Sequence, residues 1–459
     1  MTVAKNILQK IGIDKSIAYT SSGRIIGGLG GVVTTLFIAQ FLSKEEQGFY
    51  YTFSSVLAIQ VFFEMGMNGI MTQYVAHEQS HLEWNGLKLV GDYKYRSRLS
   101  SLLHFTIKWY MVIAILYFAA LQIAGFYFFD KFDNSEGSVS WKTPFFLLTI
   151  SSAINLFLAP LFCFLEGLGK VKEVAKYRFF QQVLGYAIVW GSFFFGAKLM
   201  TPAINSLTWV GIAIGAFMFS NFGKILRNIW TTKVTEKIRY STEIFPFQWK
   251  IAMSWISGYF IFQLFNPILF ATEGAVVAGQ MGMTLNVLNA ISSLSLAWTS
   301  TKIPKYSGLI EMKKYGELDS LFFKTTNQAA LVNASCLLAF FLVVFAIRHF
   351  HVLIFSLYLG DRFLDWLPMI LMMIPIFTNQ YINAWATYLR CHKKEPFLVQ
   401  SVVMGLLCMV SALTLGKYFG LYGLCIGYCS LNVLVSTPWG LYTFVTKRKD
   451  WHYSNNKLV

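Results

Sequence analysis

The sequence predicts an all-α integral membrane protein with about twelve transmembrane helices in two halves of six. Three observations carry that expectation. Only 13% of the 459 residues are charged, where a soluble domain has about 25%. The mean hydropathy is +0.52, and apolar runs of bilayer length, roughly 20 residues, recur along nearly the whole chain. The net charge of +16 is spread over short connections between these runs. That distribution fits membrane topology and argues against nucleic acid as a partner.

Met1–Tyr19 carries Lys5, Lys10 and Lys15 but no continuous apolar core or small-residue cleavage site. It reads as a basic amphipathic segment on the membrane surface rather than a signal peptide. Spans follow near 22–42, 49–71, 100–129, 143–165, 179–199 and 207–229. Six more lie near 249–270, 276–301, 327–347, 366–389, 397–416 and 420–445. The halves are therefore 1–230 and 249–445, joined by a basic cytoplasmic linker, 231–248, and closed by a basic cytoplasmic tail, 446–459. With both termini cytoplasmic, only Lys44, Lys131, Lys142, Lys198, Arg348, Arg362 and Lys417 of the 38 Lys and Arg fall outside. A miscounted span would scramble this bias. Trp141, Trp249, Trp366 and Tyr50 stand at span ends as an interfacial belt. Pro160, Pro267, Pro375 and Pro438 mark kinks that neighbouring helices can accommodate.

The halves match weakly. LEGLGKVKE (165–173) precedes a span bearing Gln181 and Gln182, and LRCHKKE (389–395) precedes one bearing Gln400. Likewise SKEEQGFYYTF (43–53) resembles ATEGAVVAGQMGMTL (271–285). An even number of spans per half makes the repeats parallel, related by an axis along the membrane normal. Transporters of this build hold substrate where the halves meet.

Polar residues inside the spans nominate the site. Arg24 is a fixed charge in the first span, among glycines at 23, 27, 28, 30 and 31. An arginine at that depth is expensive and faces a partner or water. Gly23, Gly27 and Gly31 have the spacing that lets helices approach closely. Gln60, Glu64 and Asn68 form one stripe on the second span. Arg24 and Glu64 lie in the same membrane half on neighbouring helices, so they form a structural pair or line a hydrated cavity. In the second half, Asn379, Asn383, Thr387 and Arg390 share a face of the tenth span. Gln263 and Asn266 mark the seventh span, and Asn286 and Asn289 the eighth. Single amides glue helices together; several on different helices fit a central hydrated cavity.

Other chemistry is missing from the pattern. GLGK (167–170) lacks the remaining residues of a phosphate-binding loop. His77 and His81, or His349 and His351, have no further ligands nearby, and the six cysteines have neither zinc nor disulfide spacing. No metal, cofactor or catalytic set is expected.

The basic start into a Gly-rich first span, FLSKEEQGFYYTFSS (41–55), FFEMGMNGIMTQYVAHE (62–78), LEGLGKVKE and the closing FGLYGLCIGY (419–428) occur in characteristic order. In these features the chain resembles the O-antigen/polysaccharide flippases of the multidrug/oligosaccharidyl-lipid/polysaccharide exporter superfamily. The resemblance implies two six-helix bundles related by a pseudo-twofold axis around a central cavity that opens alternately to either side. The implied partner is a polyprenyl-diphosphate-linked oligosaccharide, flipped outward across the bacterial inner membrane alongside other polysaccharide-assembly proteins. Arg24 matches a first-helix arginine of such flippases, which suggests a diphosphate contact. Glu64 matches an acidic position and could add proton or sodium coupling, or membrane potential alone could bias the cycle. Multidrug exporters of the superfamily often carry a carboxylate in the first helix instead, and lipid II flippases usually have fourteen spans. A drug exporter and, more remotely, a membrane glycosyltransferase or polymerase are the alternatives.

Overall fold

A computed structural model describes residues 15–135, 137–354, 357–392 and 394–453. The surface segment expected at the N-terminus lies outside the described residues as far as Asp14. The protein is an all-α membrane protein, with helices at each expected span. The first is Lys15–Phe41, and the second is broken into Lys44–Leu57, Gln60–Glu64 and Met67–Gln79. Tyr93–Ala120 runs on through Leu121–Gly125 to Phe132, and Lys142–Gly167, Val171–Phe194 and Thr201–Phe219 follow. The second half contains Phe245–Phe262 with Phe265–Glu273, Ala275–Ser300, Tyr315–His349, Trp366–Arg390 and Leu398–Leu431, then Thr437–Tyr453. Among the described residues, five helical segments are long and apolar enough to cross a membrane, and the bent pair Lys44–Glu64 and Met67–Gln79 makes a sixth. The remaining spans are broken or diluted by polar residues such as Gln181 and Gln182.

The described residues form two compact units. One takes the chain through Gly27, Val56–Lys131 and 137–255; the other takes Gly28–Ser55 and the chain from Ile256. In the first, Lys142–Gly167 is central, packed by Met67–Gln79, Tyr93–Ala120 and Thr201–Phe219. Its sequence is apolar on nearly every face, as a helix surrounded by others requires. In the second unit Ala275–Ser300 is central, packed by Phe265–Glu273, Tyr315–His349 and Trp366–Arg390.

Two expected segments change form. The sixth span, expected at 207–229, ends at Phe219. Ser220 turns extended, and its hydroxyl accepts from the Phe222 N–H at 3.1 Å. This N-cap starts a separate amphipathic helix, Asn221–Trp230, with Phe222, Ile225, Leu226 and Ile229 buried. The polar segment after the second span contains an antiparallel hairpin, Leu82–Asn85 with Lys88–Gly91. Asn85 pairs with Lys88, so Gly86 and Leu87 form the two-residue turn, and Gly86, at φ +61°, takes the first central position that such turns give to glycine.

Leu398–Leu431 is two helices turned at Gly420, whose φ 54°, ψ −134° are open only to glycine. The Leu421 N–H donates to the Glu273 carboxylate, and a Cβ on Gly420 would collide with Glu273 Oε1. The helices pack back to back, since a Cβ on Gly423 would collide with the Leu415 carbonyl.

The basic tail expected from 446 is helical to Tyr453 and docks on the second unit. Arg448 Nε donates to Asp319 Oδ1 at 3.0 Å, and the Tyr388 hydroxyl donates to the same oxygen. His452 stacks on Tyr315 at 4.0 Å, and its Nε2 lies 3.0 Å from His392 Nε2. Phe444 joins Phe322, Tyr388 and Leu389 in the core beneath.

Gly420→Ala should destabilise the protein by about 1–3 kcal/mol through backbone strain alone, and more if Glu273 cannot move aside. Thermal melting in detergent reads the loss. The tail gives a pH signature. Burial, with the facing His392 ring and Arg448 acting in the same sense and Asp319 opposing, holds the His452 imidazole down at about 4. A released tail would take up that proton below its ordinary value, about 6.5. Docking is therefore at full strength above pH 6.5 and weakens as pH falls towards 4. Wild-type melting temperature should drop more steeply across that window than that of His452→Gln. Equal slopes would remove His452 as the cause.

Candidate functional site

In the first unit, the second span breaks beside its carboxylate. Met65 (φ 48°) and Gly66 (φ 68°) are both left-handed, and the flanking helices differ in direction by 42°. A Cβ on Gly66 would collide with Ile251 Cγ2, so glycine satisfies both the torsion and the packing. Glu64 stands just before this break, 8% exposed. Asn68 Nδ2 donates to its Oε1 at 2.6 Å and Gln60 Nε2 to its Oε2 at 3.3 Å. The Tyr110 hydroxyl donates to Asn68 Oδ1 at 3.2 Å. The stripe expected from the sequence thus converges on one carboxylate. Its partners among the described residues are neutral amides, with no cation among them. An anion kept out of water on those terms is costly, so the position suits a group that receives a proton or a cation.

Arg24 lies in Lys15–Phe41, and its side chain is outside the described residues. The glycines beside it are informative. A Cβ on Gly23 would lie 3.2 Å from Gln182 Oε1, and one on Gly27 would lie 2.6 Å from Gln182 Nε2. The Tyr186 hydroxyl donates to the Gly27 carbonyl at 2.9 Å. Small residues here admit the fifth span; a Cβ on Gly31 meets nothing within 4 Å.

In the second unit, 28–55 packs closely on Ala275–Ser300. A Cβ on Gly48 would collide with the Ala275 carbonyl, and one on Gly282 with the Tyr51 side chain. Gln47 Nε2 donates to the Gly279 carbonyl at 2.9 Å and to that of Arg362 at 3.2 Å. Arg362, 8% exposed, donates to Gln47 Oε1 at 3.2 Å and to the Leu42 carbonyl at 2.7 Å. Burial holds its guanidinium below the ordinary value, with Glu45 and Glu46 opposing. The exposed Lys44–Asp361 pair at 3.0 Å adds little.

The nominated amides of this unit take several roles. Asn286 donates to Thr35 Oγ1 at 2.7 Å, and Asn266 to Ser55 Oγ at 3.2 Å, both within the same seam. Asn379 accepts from Asn432 at 2.9 Å and donates to the Tyr428 hydroxyl at 3.3 Å, joining the tenth span to the twelfth. Gln263, half-buried, and Asn383, exposed, have no side-chain partner among the described residues. Arg390 forks onto Glu395 at 2.6 and 3.1 Å. Among the described residues no three metal-ligating side chains assemble. The sequence reading missed Gln47 and Arg362: EEQG was visible as half of a repeat, but a loop arginine looked merely exposed.

No family model matches the sequence, and no curated protein matches it. Solved structures do. The MATE multidrug transporter DinF-BH, in a ligand complex, aligns over 96% of this chain and 97% of its own, at TM-score 0.56 and 13% identity. The lipid II flippase MurJ, in an inward closed conformation, aligns over 94% and 89%, at 0.55 and 11%. A point mutant of the Vibrio cholerae MATE transporter VcmN aligns over 95% and 97%, at 0.54 and 12%. The chain has the multi-pass helical fold these transporters share, as the sequence resemblance implied.

Arg362→Ala would leave the Gln47 and Leu42 oxygens short of a donor, at about 1–3 kcal/mol. The seam should loosen. Maleimide labelling of a Ser55→Cys reporter, read by mass spectrometry, should accelerate several-fold over the same reporter with Arg362 intact; an unchanged rate would mean that Arg362 does not hold the seam.

Proposed function

We propose that the protein is a flippase that moves a polyprenyl-diphosphate-linked oligosaccharide outward across the bacterial inner membrane by alternating access. Arg24 carries the reading: a permanent cation in the first span, where a diphosphate can meet it, with its cost in hydrocarbon explained by such a ligand. The order of the sequence motifs supports the polysaccharide branch, and a fold shared with a lipid II flippase supports lipid-linked cargo. Glu64, Gln60 and Asn68 supply a second polar position at the helix break, and Gln263 and Asn383 offer uncommitted amides for sugar hydroxyls. A headgroup with about two negative charges gains about 4–5 kcal/mol per 100 mV on leaving a negative interior. Membrane potential can therefore drive the cycle, and a proton or sodium ion taken up at Glu64 can be coupled to it.

The second reading is export of an amphiphilic drug. The multidrug transporter of the same fold supports it, as does a buried carboxylate whose partners among the described residues are amides.

In proteoliposomes carrying a fluorescent polyprenyl-diphosphate oligosaccharide, wild type should expose the label to an external quencher, and Arg24→Ala should fall to background at normal protein abundance. Activity retained in Arg24→Ala would remove the diphosphate contact. Glu64→Gln should abolish any response to an imposed proton or sodium gradient. An Arg24→Glu, Glu64→Arg swap that restores activity would reassign the two as a structural pair. Efflux of a cationic dye with no oligosaccharide movement would favour the drug exporter.

A further inference from the structure

At one end of the first unit, the Leu82–Gly91 hairpin, the start of Tyr93–Ala120 and the end of Asn221–Trp230 enclose a cavity of about 210 Å³. Lys88, Arg96, Asn228, Thr231 and Thr232 line it. Its walls are tied together: Asn228 Nδ2 donates to the Leu87 carbonyl at 3.3 Å, and the Ser100 hydroxyl to that of Thr232 at 2.8 Å. The Ser97 hydroxyl accepts from the backbone N–H of Thr235 and Glu236 at 2.7 and 2.8 Å, fixing the chain beyond. We propose that this cavity binds a phosphate group, independently of the transport site and of the cargo assigned to it.

The charge arrangement carries the inference. Neighbouring Arg98 pairs with two carboxylates, Glu78 at 2.9 Å and Glu243 at 2.7 Å. Asp92 accepts from the Lys94 N–H at 2.9 Å as a helix cap. That leaves the Lys88 ammonium and the half-buried Arg96 guanidinium without a side-chain partner among the described residues, both on one small cavity. The neutral groups sharpen the preference. The Thr231 and Thr232 hydroxyls donate back to helix carbonyls, of Arg227 at 3.0 Å and Asn228 at 3.2 Å. Asn228 has spent one N–H on Leu87 and keeps a second. The uncommitted donors are therefore a lysine, an arginine and one amide N–H, a set that an anion with several acceptor oxygens satisfies. The volume falls below the roughly 300–1,000 Å³ of drug-sized sites, a size that suits a single phosphate group.

Position supplies the two sources. The cavity abuts an amphipathic helix with exposed Lys224 and Arg227 opposite its buried apolar face. At that helix's end Trp230 is partly exposed and stacked on His104 at 3.7 Å. An amphipathic helix with an aromatic end lies at headgroup depth, so the phosphate is that of an anionic lipid or of a soluble phosphate.

The test uses the full chain, delipidated in detergent. Native mass spectrometry against phosphatidylglycerol, with diacylglycerol as the phosphate-free control, should show one lipid that resists dilution. Arg96→Gln and Lys88→Gln should each weaken it by about tenfold, the scale of one charge-assisted contact, whereas Lys224→Gln should not. Inorganic phosphate titrated into wild type should raise the melting temperature and displace the lipid if the soluble ion is a ligand. Lipid retention indifferent to millimolar phosphate identifies the headgroup source. Equal binding of diacylglycerol, or unchanged phosphatidylglycerol binding in both cavity variants together with no phosphate shift in wild type, overturns the proposal. If a variant fails to fold, the wild-type comparison decides: retention of phosphatidylglycerol over diacylglycerol supports the site, and equal binding overturns it.

Discussion

Arg362 is buried with carbonyl and amide oxygens as its hydrogen-bond partners among the described residues, and the way its charge is met organises the second unit. A guanidinium taken from water needs its donors filled. Here carbonyl and amide oxygens of 42–47 fill them, while Gln47 reaches on to Gly279. Those bonds need backbones in near contact, which is why glycine stands at 48, 279 and 282. They also bring together the two stretches that the internal repeat paired, 43–53 and 271–285. Oxygen dipoles, with the Glu45 and Glu46 charges favouring the cation, hold the guanidinium in the seam.

The carboxylate of the first unit follows a different logic. Glu64 is placed at a helix break, and its partners among the described residues are amides, which orient its carboxylate. Structural ion pairs of the same unit, such as Arg98 with Glu78 and Glu243, sit outside the spans, where they hold loops in place. Within the membrane the described polar contacts are mostly amide and hydroxyl, as in Asn379–Asn432 and Asn333–Ser295–Gln380. Such contacts fix helix positions at modest energy.

The sequence revealed much of this and concealed specific parts. Hydropathy and loop charge located the spans, because bilayer thickness imposes their length. The i, i+4 spacing of Gln60, Glu64 and Asn68 foretold their meeting. It did not foretell the break, since Met65 is a poor left-handed residue and only Gly66 hints at one. The sixth span was misplaced because Asn221–Trp230 is apolar enough to extend a hydropathy window, while its cap, Ser220, is a single residue. The hairpin at 82–91 carried only a faint signal, the single turn glycine Gly86 between two four-residue strands. Arg362 was hidden for a deeper reason: its partners are backbone carbonyls, which every residue possesses.

The turn at Gly420 reverses the chain within a single residue, with Glu273 holding its far side. Gly274 is likewise the single residue between Phe265–Glu273 and Ala275–Ser300, whereas connections such as 133–141 contain several residues outside any helix. The Gly420 turn has no slack. A sequence inserted between the eleventh and twelfth spans would separate two helices whose packing begins at the bend itself.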